Sequence, residues 1–273
     1  AMEAEAFKGR EKSRKARAEH EATAKEQGQF KALSESQAAR IAELEEVAAK
    51  VGAARGVLIN DLSALCYALP QLSPEPISGT AQPDNNRQSL LVGMGTGFNV
   101  CLVRSGPDGP VVCEAELGHA SLPQRVASVL RDVLGDKAGA ISTNEDVFSG
   151  RGLSRLYGLM TGWGDRPGEA ILSDYGNGGA SAETRTVDLS ARLMGILARE
   201  LVYYYLPMGG IYFAGSAARA VLTTAAKGEF LQAFTRPGRF IEQVEQVPVR
   251  MIADDGAALL GVARFAASQR PIA

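Results

Sequence analysis

The segment Gly93–Phe98, GMGTGF, places three glycines and one hydroxyl between two apolar runs, SLLV and NVCLV. Backbone amides in such a turn, together with the Thr96 hydroxyl, can hold the oxygens of a phosphate group. A Walker loop is excluded because the segment contains no lysine, and a dinucleotide-binding turn needs glycine at Phe98 and a following helix. Two interpretations stay open at this point: an ordinary tight hairpin, or a strand–turn–strand unit that binds phosphate.

A second candidate is the pair Asn60-Asp61, which ends the apolar run GVLIN and precedes the helical pattern DLSALCYAL. The run GVLIN predicts a buried strand. A carboxylate at the C-terminal end of a strand can project into the cleft above an α/β sheet. Aspartate is also a common N-cap residue, so Asp61 is either a cleft carboxylate or the cap of the helix behind it.

Two further carboxylates lie near glycine turns. Glu116 stands three residues before His119, one of the two histidines of the chain, in the turn ELGH. A Glu/His pair of this kind can hydrogen-bond a polyol, although a single histidine is more often structural. Glu145 precedes a Ser-Gly-Arg-Gly turn, where a carboxylate can also serve as a cap or a surface charge.

The elements that must position these residues are strands mixed with helices, which indicates an α/β protein. Apolar runs predict strands at SLLVGM, FNVCLVR and GPVVCEAE, and helical spacing predicts a long helix at TVDLSARLMGILARELVYYYL. The pattern GGIYFAGSAARAVL predicts a strand followed by a helix, and a strand and a closing helix follow near the C-terminus. Residues 71–88 are rich in proline, glycine and asparagine and predict a loop.

Composition narrows the class of protein. The net charge of −2 and the pI near 5.9 argue against a nucleic acid as the main partner. No apolar run reaches membrane-spanning length, and no apolar signal segment opens the chain. Three cysteines without a CxxC pair fit a reducing compartment, so we expect a cytoplasmic protein.

Seven motifs in order resemble the bacterial glucokinase family, within the hexokinase and actin-like ATPase superfamily. They are LINDL…ALP, GMGTGF, ELGHASLP, EDVFSGRGLSRLY, PMGGIYFAG, GRF and ADDGAALLG. The resemblance runs from about Ser34 to the C-terminus and implies a two-lobed α/β fold of the actin-like ATPase (ribonuclease H-like) type. We expect a charged helical or mobile extension over residues 1–33, a reduced small lobe from 34–70 plus 256–273, and a large lobe over 71–255.

The resemblance implies ATP-dependent phosphorylation of glucose to glucose 6-phosphate, with Asp61 as the general base. It also implies Mg²⁺, whose protein ligands the sequence does not mark, and a homodimer, for which it marks no surface. The implied sugar-binding residues are Asn60, Glu116, His119 and Glu145. The implied nucleotide-binding residues are Gly95, Thr96, Gly97, Gly209, Gly210, Ala214 and Gly215.

One departure from the family motivates a second hypothesis. The first phosphate hairpin of the family, Asp-x-Gly-Gly-Thr-Asn, has no counterpart before Ser34, and the look-alike Asp174–Gly179 lacks predicted flanking strands. The strand GVLIN would then lose its neighbours. A catalytically impaired sugar-binding or sensor protein is therefore the alternative to an active kinase. A sugar-responsive DNA-binding repressor is disfavoured, because residues 1–33 lack a helix-turn-helix pattern.

Overall fold

A computed structural model describes residues 42–43, 45–50, 52, 56–79, 86–107, 109–177 and 179–269. The predicted extension over residues 1–33 lies outside the described residues. The chain divides after Leu58 into two units, which we describe separately. In the first unit residues 45–50 are helical, and Lys50 pairs with Glu46 at 2.7 Å on the surface.

The second unit contains a mixed sheet, in which the described residues form six strands in the order β1-β6-β5-β2-β3-β4. The strands are β1 (Glu75–Ser78), β2 (Gln88–Met94), β3 (Phe98–Gly106), β4 (Gly109–Glu114), β5 (Gly210–Ala214) and β6 (Val249–Met251). Strand β5 runs parallel to both β2 and β6, whereas the other neighbours are antiparallel. The predicted α/β class and the strand–turn–strand at GMGTGF are confirmed.

Helices cover both faces of this sheet. They are α1 (Asp61–Ala68), α2 (Gln124–Leu134), α3 (Glu145–Phe148), α4 (Gly150–Thr161), α5 (Gly168–Ser173), α6 (Ala182–Tyr205), α7 (Ser216–Leu222), α8 (Lys227–Phe234), α9 (Ile241–Gln246) and α10 (Ala257–Ser268). Short 3₁₀ segments occupy Leu69–Gln71, Leu117–His119 and Gly135–Ala140. The main core lies between one face of the sheet and helices that include α2, α4, α6 and α8. Among the described residues, no helix combines the length and apolar character needed to cross a bilayer.

Helix α1 covers the other face of the sheet through a smaller apolar cluster. Leu62 and Cys66 of α1 are buried in this cluster with Cys101 of β3. Helix α10 packs on α1 at Gly261, where an added Cβ would lie 1.7 Å from the carbonyl oxygen of Ala64. Only a glycine permits so close an approach. The position of α1, and of the Asp61 that begins it, therefore depends on this contact.

Two local predictions are corrected. Residues 56–60 form no strand, and Val57 and Leu58 are 50% and 56% exposed, because no described strand pairs with this segment. The predicted loop over residues 71–88 contains strand β1, an edge strand that tolerates Pro76. A further prediction is confirmed, because the look-alike segment that begins at Asp174 lies between helices α5 and α6 and has no flanking strands.

Candidate active site

A cavity of about 410 Å³ opens where α1, the β2–β3 turn and the end of β5 meet. It brings together residues that are far apart in the sequence. The lining residues are Asn60, Asp61, Leu62, Leu65, Gly93, Met94, Gly95, Thr96, Gly97, Phe98, Asn99, Glu116, Glu145, Ala214 and Gly215. Most of the residues predicted for the site therefore share one cavity.

The helix start places Asp61 at the cavity. Asn60, not Asp61, is the N-cap of α1, since its Oδ1 accepts the amides of Leu62 and Ser63 at 2.9 and 3.3 Å. Asp61 occupies the first turn, where Oδ1 accepts the Leu62 amide at 2.7 Å, and the residue is exposed. Leu62 packs on the sheet at Gly93, where an added Cβ would lie 3.2 Å from a Leu62 methyl. Asp61 is therefore not the N-cap of α1, and it lines the cavity.

The turn at residues 95–97 presents backbone donors. The Gly95 amide donates to the Gly97 carbonyl at 3.0 Å, and the Gly150 amide, at the start of α4, donates to the Gly95 carbonyl at 2.8 Å. The amides of Thr96 and Gly97 have no hydrogen-bond partner among the described residues. Consecutive free amides beside a hydroxyl are groups that can hold an anion.

Glu145 lies between two glycines. An added Cβ at Gly97 or Gly118 would lie 3.2 or 3.4 Å from Glu145 Oε2. A side chain at Gly118 is excluded in any case, because its Cβ would lie 2.3 Å from the carbonyl oxygen of Phe98. The other oxygen, Oε1, accepts a hydrogen bond from Arg151 at 2.8 Å. The glycines thus admit the carboxylate, and Arg151 orients it.

The turn that carries Glu116 and His119 is held by two asparagines. Asn99 Oδ1 accepts the Leu117 amide at 3.0 Å, and the buried Asn144 donates from Nδ2 to the Leu117 carbonyl at 2.8 Å. Glu116 is exposed and lines the cavity. His119 does not line it; the imidazole borders a neighbouring cavity of about 390 Å³ that shares Glu145.

Two of the four glycine and alanine positions predicted for the nucleotide wall lie at the cavity. Gly215 has φ +99° and packs so closely on β2 that an added Cβ would lie 2.4 Å from the Met94 carbonyl oxygen. Ala214 precedes it at the end of β5. Gly209 and Gly210 lie at the opposite end of this strand, where the Gly209 amide donates to the Gln88 carbonyl at 2.7 Å. The structure therefore places Gly209 and Gly210 at the start of β5, away from this cavity, and their nucleotide-binding role stays a prediction.

Sequence reasoning missed two contributors to the site, Asn99 and Arg151. Asn99 is a polar residue inside the apolar strand FNVCLV, next to the glycine turn. A single polar residue in an otherwise apolar strand was the sequence signal that could have identified it. Arg151 belongs to the Ser-Gly-Arg-Gly turn that follows Glu145, and its position six residues after that carboxylate was the available signal. The arrangement as a whole gathers carboxylates and a turn with two free amides at one cavity, which is the kind of site that transfer of a phosphoryl group to a hydroxyl requires.

Comparison with known proteins decides the family. The family model described as Glucokinase matches residues 40–269. The chain belongs to the glucokinase family. The glucokinase of Stenotrophomonas maltophilia (strain K279a) is 30% identical over 225 residues, and that of Xanthomonas euvesicatoria pv. vesicatoria (strain 85-10) is 29% identical over 224 residues. Each alignment covers 77% of this chain and 66% of the relative, just under two thirds of its length.

The fold agrees with this membership. The crystal structure of a glucokinase from an Antarctic psychrotroph matches with a TM-score of 0.66 and 25% identity, over 77% of this chain and 68% of that one. The fold is therefore that of the glucokinases and other sugar kinases of the actin-like ATPase type, as the sequence predicts. The boundaries of the two predicted lobes stay a prediction.

Proposed function

We propose that this member of the glucokinase family transfers the γ-phosphoryl group of ATP to glucose and forms glucose 6-phosphate. The observation that carries the proposal is the single cavity shared by Asp61, Glu116, Glu145 and the turn at residues 95–97. At this open cavity three carboxylates lie beside a glycine turn with two free amides, and this supports the proposed roles of base, sugar ligands and phosphate donors. The curated relatives named glucokinase support the choice of glucose.

Asp61 is the proposed general base. Its carboxylate would accept the proton of the 6-hydroxyl of glucose while that oxygen attacks the γ-phosphorus and the bond to the β-phosphate oxygen breaks. General base catalysis contributes about 10²–10⁴-fold to a rate. The larger share must come from alignment of the two substrates and from stabilisation of charge on the phosphoryl group.

The polar residues around the cavity would select the sugar. Glu116 and Glu145 accept hydrogen bonds from hydroxyl groups, and Asn60 can donate from the amide nitrogen that its capping role leaves unused. A site built around hydroxyls discriminates strongly against a ligand that leaves such groups unpaired. His119, at the neighbouring cavity beside Glu145, would contact the same sugar only at its edge.

The turn at residues 95–97 would hold phosphate oxygens through the amides of Thr96 and Gly97 and the Thr96 hydroxyl. Gly215 and Ala214 would line the nucleotide side of the cavity.

Among the described residues, no group of three His, Cys, Asp or Glu side chains could hold a metal ion by itself. This fits Mg²⁺ that arrives with ATP, because such an ion is held mainly by phosphates, water and one or two carboxylates. One of the carboxylates that line the cavity, Asp61, Glu116 or Glu145, could supply such a ligand, and the ion would neutralise charge on the phosphates.

The proposal is tested by product analysis. Incubation of the full chain with glucose, ATP and Mg²⁺ should yield glucose 6-phosphate, measured by its oxidation in a coupled dehydrogenase assay. Calorimetry with glucose alone completes the test. Sugar binding without turnover would support the alternative of an impaired sugar-binding protein, and the lack of both would reject a sugar site altogether.

A further inference from the structure

A second cavity, of about 800 Å³, lies among helices α2, α6 and α8. It shares no lining residue with the candidate active site. Four arginines line it, together with two carboxylates: Arg125, Arg192, Arg199, Arg236, Asp132 and Glu229. We call it the arginine cavity. Its volume lies within the range of about 300–1,000 Å³ that is typical of small-molecule sites.

The charges around the arginine cavity are not balanced by ion pairs. Arg125 makes a long contact with Glu200, 3.8 Å between Nε and Oε1. Arg192 and Arg236 form no ion pair with any residue that the structure describes. The four arginines that line the cavity exceed its two carboxylates by two positive charges, in a chain whose net charge is −2. Such a concave positive surface attracts anions.

Arg199 is a buried cation among the residues that line the cavity. This arginine is only 5% exposed, and no carboxylate pairs with it among the described residues. Its Nε donates to the Tyr203 hydroxyl at 3.0 Å, and its Nη1 donates to the backbone carbonyl of Arg236. Its Nη2 packs against Gly238 and has no hydrogen-bond partner in the described part of the chain. A buried cation without a counter-ion is costly, and an anionic ligand would supply the missing charge.

We propose that the arginine cavity is a second ligand site and binds a phosphorylated metabolite. The planar guanidinium group presents paired N–H donors that match phosphate oxygens, which a hydrated lysine ammonium matches less well. Arg192 and Arg236 would contact the phosphate from the exposed rim, and Arg199 would contact it from the buried wall. This site is separate from the turn at residues 95–97 that is proposed to hold ATP, so it does not depend on the proposed kinase activity.

The test is a binding measurement on the full chain without glucose or ATP. Isothermal titration calorimetry would use two probes, fructose 1,6-bisphosphate and inorganic pyrophosphate. The double variant Arg192→Ala/Arg236→Ala removes two exposed arginines that have no ion-pair partner among the described residues, so it should fold. Arg131→Ala is the matched control, because Arg131 is exposed on α2 and does not line the cavity.

We expect at least one probe to bind the unmodified chain, and the double variant to bind it at least about tenfold more weakly. The Arg131→Ala variant should retain the affinity of the unmodified chain within about threefold, since an exposed charge away from the ligand has only a screened effect. Failure of both probes to bind would overturn the proposal. Equal affinity of the double variant and the control would also overturn it, because binding would then occur elsewhere, for example at the turn at residues 95–97.

Discussion

The carboxylate of Glu145 lies against the backbone of Gly97, such that a methyl group added at Gly97 would come within 3.2 Å of Oε2. This contact joins the candidate sugar site to the candidate phosphate turn, because Glu145 belongs to α3 and Gly97 to the β2–β3 turn. It also explains why a glycine follows Thr96. The carboxylate proposed to bind the sugar and the turn proposed to bind phosphate are therefore in contact at Gly97.

The first prediction concerns Gly97→Ala. The added methyl should displace the Glu145 carboxylate by a few tenths of an ångström and weaken its hydrogen bond to a sugar hydroxyl. We expect kcat/KM for glucose to fall about tenfold or more, because the loss of one hydrogen bond to a charged group typically has an effect of this size. Gly228→Ala is the control, since no atom lies within 4 Å of its Cβ position in α8. Equal kcat/KM values for the two variants would show that the contact has no role in sugar binding.

The second prediction concerns Gly261→Ala, at the contact between α10 and α1. A methyl group here would lie 1.7 Å from the Ala64 carbonyl oxygen, so the two helices must separate. We expect a loss of about 1–3 kcal/mol in the free energy of unfolding, measured with urea, from overpacking. Activity should fall as well, because α1 begins at Asp61. A variant as stable as the Gly228→Ala control would mean that the helices do not pack as described.

The third prediction concerns the pH dependence of stability at Asp146. Burial alone raises the pKa of this carboxyl, but amides of Ser142 and Thr143 and the Arg155 guanidinium outweigh burial and lower the pKa below its ordinary value of 3.8. The ionised form is therefore favoured in the folded state. Its contribution to stability is present above pH 3.8 and is lost as the pH falls through the lower folded-state pKa.

Asp146→Asn should accordingly destabilise the protein by about 1–3 kcal/mol at pH 7, as for a hydrogen-bonded charge. In urea unfolding measurements, the difference from the unmodified chain should shrink as the pH falls below 3.8, because the carboxyl takes up its proton through the lowered folded-state pKa. Asp136→Asn serves as the control, because Asp136 is exposed and its side chain makes no hydrogen bond with a described residue. A difference that stays constant with pH would show that Asp146 acts only through packing.

Local patterns predicted the parts of the fold that depend on local information. The apolar runs on either side of GMGTGF predicted β2 and β3, because a glycine turn between two strand patterns has few other solutions. The long amphipathic pattern predicted α6, because apolar residues at helical spacing are also a local signal. Strand pairing is not local: residues 56–60 have a strand composition but no described partner, whereas β1 has a poor composition and pairs with β6.

The order of the sequence motifs predicted which carboxylates of the candidate site lie together. Asp61, Glu116 and Glu145 share a cavity as expected, but the N-cap role went to Asn60, since both residues can cap a helix. Gly209 and Gly210 do not line this cavity, because a glycine-rich sequence does not show which end of its strand lies near the site. The arginine cavity could not be foreseen, because α2, α6 and α8 bring its arginines together only in the folded chain.

The most direct measurement is the turnover number of Asp61→Asn, combined with calorimetric glucose binding by the same variant. We predict that kcat falls about 10²–10⁴-fold, as for loss of a general base, while the Kd for glucose changes less than about threefold. Asp136→Asn, which removes an exposed charge outside the cavity, should match the unmodified chain in both respects. A variant that keeps its kcat, or one that loses glucose binding together with activity, would contradict the assignment of Asp61 as the base.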